Sequence, residues 1–155
     1  SWYGRVLVER VEGLASEAEW SRSYREINEF ERMLSDDGAR IVKIFLHISP
    51  EEQLNRFEQR LNEPLKRWKL TYEDFRNRDR RPQYEVAVEE MVNRTSTKIA
   101  PWHVVAAEDK KNARIQSLKL ITDVLSKGVD LGPRPMDEEA KALARAVFGS
   151  LPKGL

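Results

Sequence analysis

Hydrophobic side chains follow a helical spacing in one part of the chain and a strand-like run in the next. Between residues 16 and 34 they recur every three or four positions, which predicts an amphipathic helix starting at Ser16. Residues 39–48 are instead almost continuously apolar, which is typical of a strand buried on both faces of a parallel sheet. The stripe expected to face the core of the helix consists of Trp20, Tyr24, Ile27, Phe30 and Leu34.

A strand that leads directly into a capped helix is the unit from which parallel sheets are built. Ser49 is expected to cap the helix that follows the first strand, with Pro50 in its first turn and Glu52 completing a capping box. A second apolar run, at 102–107, precedes Asp109, the expected cap of a helix that reaches about residue 126. The inward positions of this last helix are predicted to be Leu118, Ile121 and Leu125.

The order of these elements predicts an α/β fold class, in which a parallel sheet is flanked by helices and a helical insert lies between two strand–helix units. Additional helices are expected near the N-terminus, over 83–93 and over 137–148. Two parallel strands make a poor sheet, so further strands are expected before Ser1. The expected organisation is a part-domain at 1–127 with its insert at about 63–82, a Gly/Pro linker at 128–135, and a helix with a loose tail at 136–155.

Composition narrows the class of protein. The 155 residues include no cysteine, which excludes a disulfide framework and a cysteine-ligated metal site and fits a cytoplasmic protein. No apolar run approaches the roughly 20 residues that a membrane span needs, so no membrane partner is expected. The formal net charge of +1 argues against a general nucleic-acid coat protein, and no nucleic-acid partner is expected.

Positive charge is concentrated between residues 64 and 81. This segment holds seven basic residues against three acidic ones, although the whole chain is almost neutral. Lysine and arginine side chains bind phosphate oxygens as point charges and as forked donors. The segment therefore predicts a clamp for phosphate or a polyanion, and the alternative is an ordinary solvated helix face.

Several motifs together resemble the polyphosphate kinase 2 family, and the resemblance runs from Ser1 to about Ser126. The motifs occur in family order: SWYGRVLVERV at 1–11, EINEFE at 26–31, KIFLHIS at 43–49, PLKRWKL at 64–70, RTST at 94–97, APW at 100–102 and DKKNAR at 109–114.

This resemblance implies a P-loop kinase-like fold, present here in part, with the insert acting as a lid. It also implies phosphoryl transfer between inorganic polyphosphate and a nucleotide (AMP, ADP or GDP), with Mg²⁺ as cofactor and a homo-oligomeric assembly. Two departures stand out. The Gly-rich Walker A loop and the Walker B carboxylate of the family lie upstream of this chain's first residue. At residues 80–83 the chain has RRPQ where the family usually has a Lys-Trp pair and an acidic residue.

Carried over residue by residue, the resemblance assigns phosphate contacts to cations of the lid. Lys66, Arg67, Lys69 and Arg78 match its basic positions, with Arg67 as the candidate catalytic cation. Trp68 and Leu70 are expected to pack inward. The alternative for the cations is a solvated basic surface.

Four further residues are candidate site residues. Arg5 matches the arginine that follows Walker B and is the second catalytic candidate, unless it only pairs with Glu9. Lys43 interrupts the apolar strand, and it either binds phosphate or extends to solvent from the strand end. Asp109 and Lys110 are candidate nucleotide-binding residues at a strand-to-helix turn, although Asp109 is more simply an N-cap. His47 and His103 are expected to be packing residues, and no metal-ligand set is recognised.

Two functions of different class follow. The first is part of a polyphosphate-dependent nucleotide phosphotransferase, with little catalysis expected from this chain alone. The second is a non-catalytic scaffold half of a tandem-domain phosphotransferase. A generic polyanion-binding domain is a third and weaker interpretation, because it depends on charge alone.

Overall fold

Two parallel strands form the sheet, as the apolar runs predict. In the computed structural model, which describes residues 1–152, β1 spans Lys43–His47 and β2 spans Trp102–Ala106. Lys43 lies opposite Trp102, and His47 lies opposite Ala106. The predicted α/β fold class with a parallel sheet is confirmed, and both strands are shorter than their apolar runs.

Helices account for most of the remaining structure. The N-terminus forms a 3-10 turn and then a π-helical turn, and a second 3-10 helix lies in the predicted lid. The bounds are Trp2–Gly4 (3-10), Arg5–Glu9 (π), Glu17–Asp36 (α1), Pro50–Asn62 (α2), Pro64–Lys69 (3-10), Tyr72–Asp79 (α3), Arg81–Thr95 (α4), Lys110–Ser126 (α5) and Glu138–Phe148 (α6).

Local capping signals explain where the helices start. Ser16 and Glu19 form a reciprocal capping box at α1, and the Ser49 hydroxyl accepts the N–H of Glu52 at α2. The expected second half of the α2 capping box is wrong, because the Ser49 N–H donates to the Glu108 carboxylate at 2.9 Å. This bond connects the start of α2 to the end of β2, which no local sequence signal indicates.

The main core lies between α1, α4 and the N-terminal turns. Its buried members are Tyr3, Val6, Tyr24, Ile27 and Met91. The stripe predicted for α1 is therefore correct at its centre, whereas Phe30 is exposed. Glu31 of the same helix is fully buried, although a charged residue there was not expected to face the core.

Two burial predictions are wrong. The sheet is not covered on both faces, since Leu46 and Val104 are 55% and 59% exposed. On α5, the three residues expected to face inward are exposed, and the helix is buried at Ala113 instead. Ala113 packs with Val105 and Ala107, so a small side chain makes the contact with the strand end.

The chain divides into two units, the first spanning Ser1–Leu125 and the second beginning at Ser126. The second unit contains the predicted C-terminal helix, α6. The carboxylate of Asp137 caps α6 by accepting the N–H groups of Glu139 and Ala140, and Gly149 ends it with a positive φ of 75°. Part of the tail predicted at 149–155 lies outside the described residues.

Candidate phosphate-binding site

The carboxyl edge of the sheet is tied together by hydrogen bonds between its two strand-to-helix turns. The Ala107 N–H donates to the His47 carbonyl at 2.7 Å, extending the pairing beyond β2. Backbone N–H donation from Glu108 itself and from Ser49 lowers the pKa of the Glu108 carboxyl. Ligands of open parallel sheets bind outside the carboxyl ends of the strands, so a binding site is expected at this edge.

Two arginines attach the lid to this edge. The Arg78 guanidinium on α3 donates to the Pro50 carbonyl at 2.7 Å and to the Gln53 side chain at 3.1 Å. The Arg81 guanidinium, at the start of α4, donates to the Ile48 carbonyl at 2.6 Å. The helix α3 and the helix α4, which begins where the lid segment ends, are called the lid helices below. They are thereby held beside the turn that connects β1 to α2. Arg78, expected to bind phosphate, has its guanidinium directed at protein acceptors.

Glu12 attaches the same lid helices to the N-terminal segment. Its carboxylate accepts from Arg80 at 2.9 Å and from Tyr84 at 3.4 Å, and it pairs with Arg76 at 3.5 Å. Burial, together with the nearby Glu12 charge, raises the pKa of the Tyr84 phenol. One carboxylate thus connects α3, the corner after it and α4. The sequence departure at 80–83 contains two of the anchoring residues, Arg80 and Arg81.

A cavity of ≈ 830 Å³ opens between the lid helices and the carboxyl end of β1. Its walls are apolar near the sheet, where Phe45, Val88 and Val104 contribute, and polar near the lid. Sequence reasoning did not identify this cavity. Its polar residues are spread over four elements, β1, α2, α3 and α4, and are distant from one another in the sequence: His47, Gln53, Asn77, Arg81, Tyr84, Glu85, Glu89 and Asn93.

The 3-10 helix of the lid separates cations from apolar residues. With three residues per turn, positions three apart share a face. Lys66 and Lys69 therefore share one face, and Leu65 and Trp68 share another. Leu65 and Trp68 are 82% and 74% exposed, so the expectation that Trp68 packs inward is wrong. The indole N–H of Trp68 donates to the Leu65 carbonyl at 3.0 Å, which orients the ring along the helix.

The cations of this 3-10 helix have few carboxylate partners, so their charge is available to a ligand. Lys66 approaches Glu63 at 3.5 Å, and the Arg67 guanidinium donates to the Leu61 carbonyl at 2.8 Å. The Lys69 ammonium lies 5.3 Å from the centre of the Trp68 ring. Among residues 1–152, neither Arg67 nor Lys69 forms an ion pair. Three predicted phosphate-binding residues are therefore brought together on one exposed turn.

Arg5 lies in the π-helical turn and pairs with Glu9 at 2.5 Å, as the alternative interpretation predicted. It remains partly exposed and lines a cavity of ≈ 360 Å³ with Trp2 and Phe30. The described residues that line this cavity belong to the N-terminal segment and α1, and none of them is a lid cation.

Lys43 is buried and does not extend to solvent. Its ammonium donates to the Thr95 carbonyl at 2.6 Å, to the Glu31 carboxylate at 2.7 Å and to the Tyr3 hydroxyl at 3.1 Å. An ammonium has three protons, so these bonds use its full donor capacity. A phosphate would have to displace one of them.

The turn at Asp109 has the geometry of a helix cap. The Asp109 carboxylate accepts the N–H groups of Lys111 and Asn112. Lys110 lines a cavity of ≈ 540 Å³ together with Arg56 and Arg114, and apolar residues form most of the remaining wall. Arg56 and Arg114 were not identified from the sequence. The spacing of Lys110 and Arg114, four residues apart on one helix, is a signal that could have indicated Arg114.

Across residues 1–152, no group of three or more His, Asp or Glu side chains is placed to hold a metal ion. In the same range, no helix is long and apolar enough to cross a membrane.

Comparison with known proteins agrees with the sequence resemblance. Residues 1–130 match the family model described as polyphosphate kinase 2. The chain is 52% identical, over 127 residues, to a polyphosphate:AMP phosphotransferase of Pseudomonas syringae pv. tomato, and 47% identical, over 118 residues, to ADP-polyphosphate phosphotransferase 2 of Rhizobium meliloti. These matches cover 82% and 76% of this chain.

A solved structure is similar as well. The crystal structure of polyphosphate kinase 2 from Arthrobacter aurescens superimposes with a TM-score of 0.84 at 40% identity, covering 96% of this chain and 52% of that one. The chain spans only 26% of the Pseudomonas syringae relative and 39% of the Rhizobium meliloti relative. What matches is thus a part of these proteins that includes the sheet edge and the lid.

Proposed function

Because the chain belongs to the polyphosphate kinase 2 family, we propose that its parent protein transfers a phosphoryl group between inorganic polyphosphate and a nucleoside mono- or diphosphate. AMP is the acceptor named for the Pseudomonas syringae relative, and ADP appears in the name of the Rhizobium meliloti relative. In the transfer, a terminal P–O bond of polyphosphate breaks. An oxygen of the nucleotide's last phosphate forms the new P–O bond, and polyphosphate becomes one unit shorter.

The observation that carries this proposal is the exposed cationic turn of an anchored lid. Lys66, Arg67 and Lys69 lie on one 3-10 helix that is connected to α2 and, through α3, to the edge of the sheet. Phosphoryl transfer is catalysed mainly by positioning and by neutralising the charge on the transferring group. A turn with three cations can neutralise successive phosphates of a chain, which a single helix cap cannot do.

Every candidate residue except Lys43 has a role in this proposal. Lys66 and Lys69 bind polyphosphate, and Arg67, as a forked donor, contacts the phosphoryl group in transfer. Arg5 contacts a phosphate from the N-terminal turn. Lys110, supported by Arg114, faces the nucleotide in the ≈ 540 Å³ cavity. Arg78 and Asp109 support the site through the lid anchor and the α5 cap.

The remaining features of the proposal come from the resemblance. Mg²⁺ would offset phosphate charge, and the binding steps above involve only cations of this chain. A homo-oligomeric and cytoplasmic parent is proposed on the same basis. Sedimentation of the parent protein would test the assembly.

The central test uses the full-length parent with polyphosphate, nucleotide and Mg²⁺. Arg67→Ala is expected to lower kcat by about 10²–10³, which corresponds to the roughly 2–4 kcal/mol that one such transition-state contact supplies. The KM for the nucleotide should change much less, because the contact is made mainly in the transition state. Turnover is measured as nucleotide product formed per unit time at saturating polyphosphate.

The matched control is Arg25→Ala. Arg25 lies on the exposed face of α1 and pairs only weakly with Glu29, at 3.6 Å, so its removal changes the net charge equally without touching the lid. Equal rates for both variants and the wild type would remove Arg67 from the mechanism. A parent protein that transfers no phosphate at all would favour the scaffold function instead.

A further inference from the structure

A buried polar cluster lies beneath the N-terminal turn that carries Arg5. Its centre is the Glu31 carboxylate on α1. One oxygen accepts the Tyr3 hydroxyl at 2.6 Å and the Trp2 indole N–H at 3.2 Å, and the other accepts the Lys43 ammonium at 2.7 Å. Burial and the hydrogen bond to Glu31 raise the pKa of the Tyr3 phenol well above its ordinary value. Glu31 thus fixes both side chains of the turn that immediately precedes Arg5.

Lys43 extends the same cluster to the far end of the lid helix α4. Its ammonium, besides bonding to Glu31 and Tyr3, donates to the carbonyl of Thr95, the last residue of α4. The Thr95 hydroxyl in turn accepts the indole N–H of Trp102 at 2.9 Å. At its other end, α4 begins at Arg81, one of the two lid anchors. A single buried ion pair therefore connects the turn of Arg5 with the helix that carries the lid.

A buried ion pair is not the usual means of stabilising a core position. Both side chains of the pair are almost completely removed from solvent, with exposures of 0% for Glu31 and 4% for Lys43. Removing two charges from water is costly, and well-packed apolar residues of similar volume often stabilise a core equally well. What an ion pair adds over apolar packing is direction, since each of its hydrogen bonds fixes one group at one angle.

We propose that Glu31 and Lys43 are positioning residues for phosphoryl transfer, holding the turn of Arg5 and the lid helix α4 in one fixed relation. The inference rests on the proposed function, in which Arg5 contacts a phosphate. It gives Lys43 a role other than phosphate binding. The pair acts on the reaction through Arg5 and through α4, and it does not touch the substrate.

The experiment separates positioning from folding, using the full-length parent. Glu31→Gln and Lys43→Met each leave one buried charge unpaired and are expected to lower Tm. The double variant has no unpaired buried charge, so its Tm should return toward the wild-type value. Its kcat should nevertheless stay about 10–100-fold below wild type at saturating substrates, because Tyr3 and the Thr95 carbonyl have lost their charged partners. Glu29→Gln, an exposed change on the same helix, should leave kcat and Tm unchanged.

Two further variants make the test decisive. Tyr3→Phe keeps the ring but removes the hydroxyl between Glu31 and Lys43, so it should fold normally and lower kcat several-fold. In an Arg5→Ala background, Tyr3→Phe should lower kcat by a smaller factor than it does alone, since one of the two groups that the cluster positions is already absent.

The outcomes distinguish a failure of this inference from a failure of the proposed function. Full activity in Tyr3→Phe, or the same fold-loss with and without Arg5, would show a purely structural cluster and overturn the inference alone. A wild-type parent without phosphoryl transfer would overturn the proposed function, and the inference with it.

Discussion

At the scale of residues, the seven basic side chains of the lid segment fall into two groups, four that bind other elements of the protein and three on the exposed 3-10 helix. Arg76 and Arg80 pair with Glu12, and Arg78 and Arg81 donate to backbone carbonyls around the start of α2. The remaining three lie on the 3-10 helix. The sequence predicted where the charge is concentrated but not which cations anchor the lid, because the acceptors that tie these four arginines to other elements lie between 25 and 69 residues away along the chain.

A half-buried carboxylate on α4, that of Glu90, also pairs with a residue distant in the sequence and gives a pH-dependent prediction. Glu90 accepts from Arg10 at 2.7 Å and from Arg94 at 2.9 Å. Partial burial disfavours its charged form, but the two arginine hydrogen bonds outweigh burial and lower the pKa below the ordinary 4.5. Stability from these bonds is therefore complete above the unfolded-state pKa and is lost as the pH falls through the lowered folded-state pKa.

Glu90→Gln should consequently be less stable than wild type at neutral pH, and the difference should shrink as the pH falls below about 4.5. Urea unfolding at a series of pH values measures it. Glu89→Gln, at an exposed neighbouring position, controls for the loss of one negative charge. A stability difference that stays constant down to about pH 3 would show that the Glu90 charge does not matter.

At the scale of elements, the lid consists of an anchored arm, formed by α3 and the start of α4, and an exposed arm, formed by the 3-10 helix. Glu12 and the sheet edge hold α3 and the start of α4. The 3-10 helix, by contrast, is held to α2 by the bond from Arg67 to the Leu61 carbonyl. The anchored arm sets where the lid lies, and the exposed arm presents the cations.

Glu12→Gln should loosen the anchored arm. The neutral amide keeps the shape but loses the charge that holds Arg76 and Arg80, so amide hydrogen exchange in α3 should accelerate. Exchange in the 3-10 helix should change little, because its contacts are local. Glu73→Gln removes the exposed partner of Arg76 on α3 itself and is the matched control. Unchanged exchange in α3 would mean that Glu12 is not an anchor.

The elements also show what sequence can predict. The starts of α1, α2 and α3 were predictable because Ser16, Ser49 and Thr71 act on N–H groups within three residues. The inward face of α5 was not, since Ala113 became the contact through the position of β2. Lys43 was conspicuous in the sequence, whereas Glu31 was overlooked. Their pairing could not be predicted, because it depends on how α1 packs against the sheet.

At the scale of the whole molecule, a nearly neutral chain presents a strongly positive turn. The net charge of +1 means that long-range attraction for polyanions comes from the local lid cations rather than from the protein as a whole. The length of the chain decides which properties can be tested on it, because it spans about a quarter of the length of relatives that are about 50% identical to it. Binding by the lid can therefore be tested on this chain, and the proposed transfer is tested on the full-length parent.

The last prediction concerns that binding. Polyphosphate should bind this chain weakly, with an affinity that falls steeply as salt rises, because counterions are released from both partners. Each cation in contact with a flexible polyanion contributes about 0.7 to the slope of log K against log salt. Replacing Lys66, Arg67 and Lys69 by alanine should therefore reduce the slope by up to about 2. Titration calorimetry at several salt concentrations measures both the affinity and the slope.

The control for this prediction changes the net charge identically at another surface. Arg22, Arg25 and Arg32 lie on the exposed face of α1, each paired with a carboxylate four residues later. Their triple alanine variant should bind polyphosphate with nearly the wild-type slope, because these cations lie on α1 and not on the lid turn that contacts the polyanion. Equal slopes for the two triple variants would show that polyphosphate responds to net charge only. Because the two variants carry the same net charge, a difference between their slopes can come only from the arrangement of the lid cations.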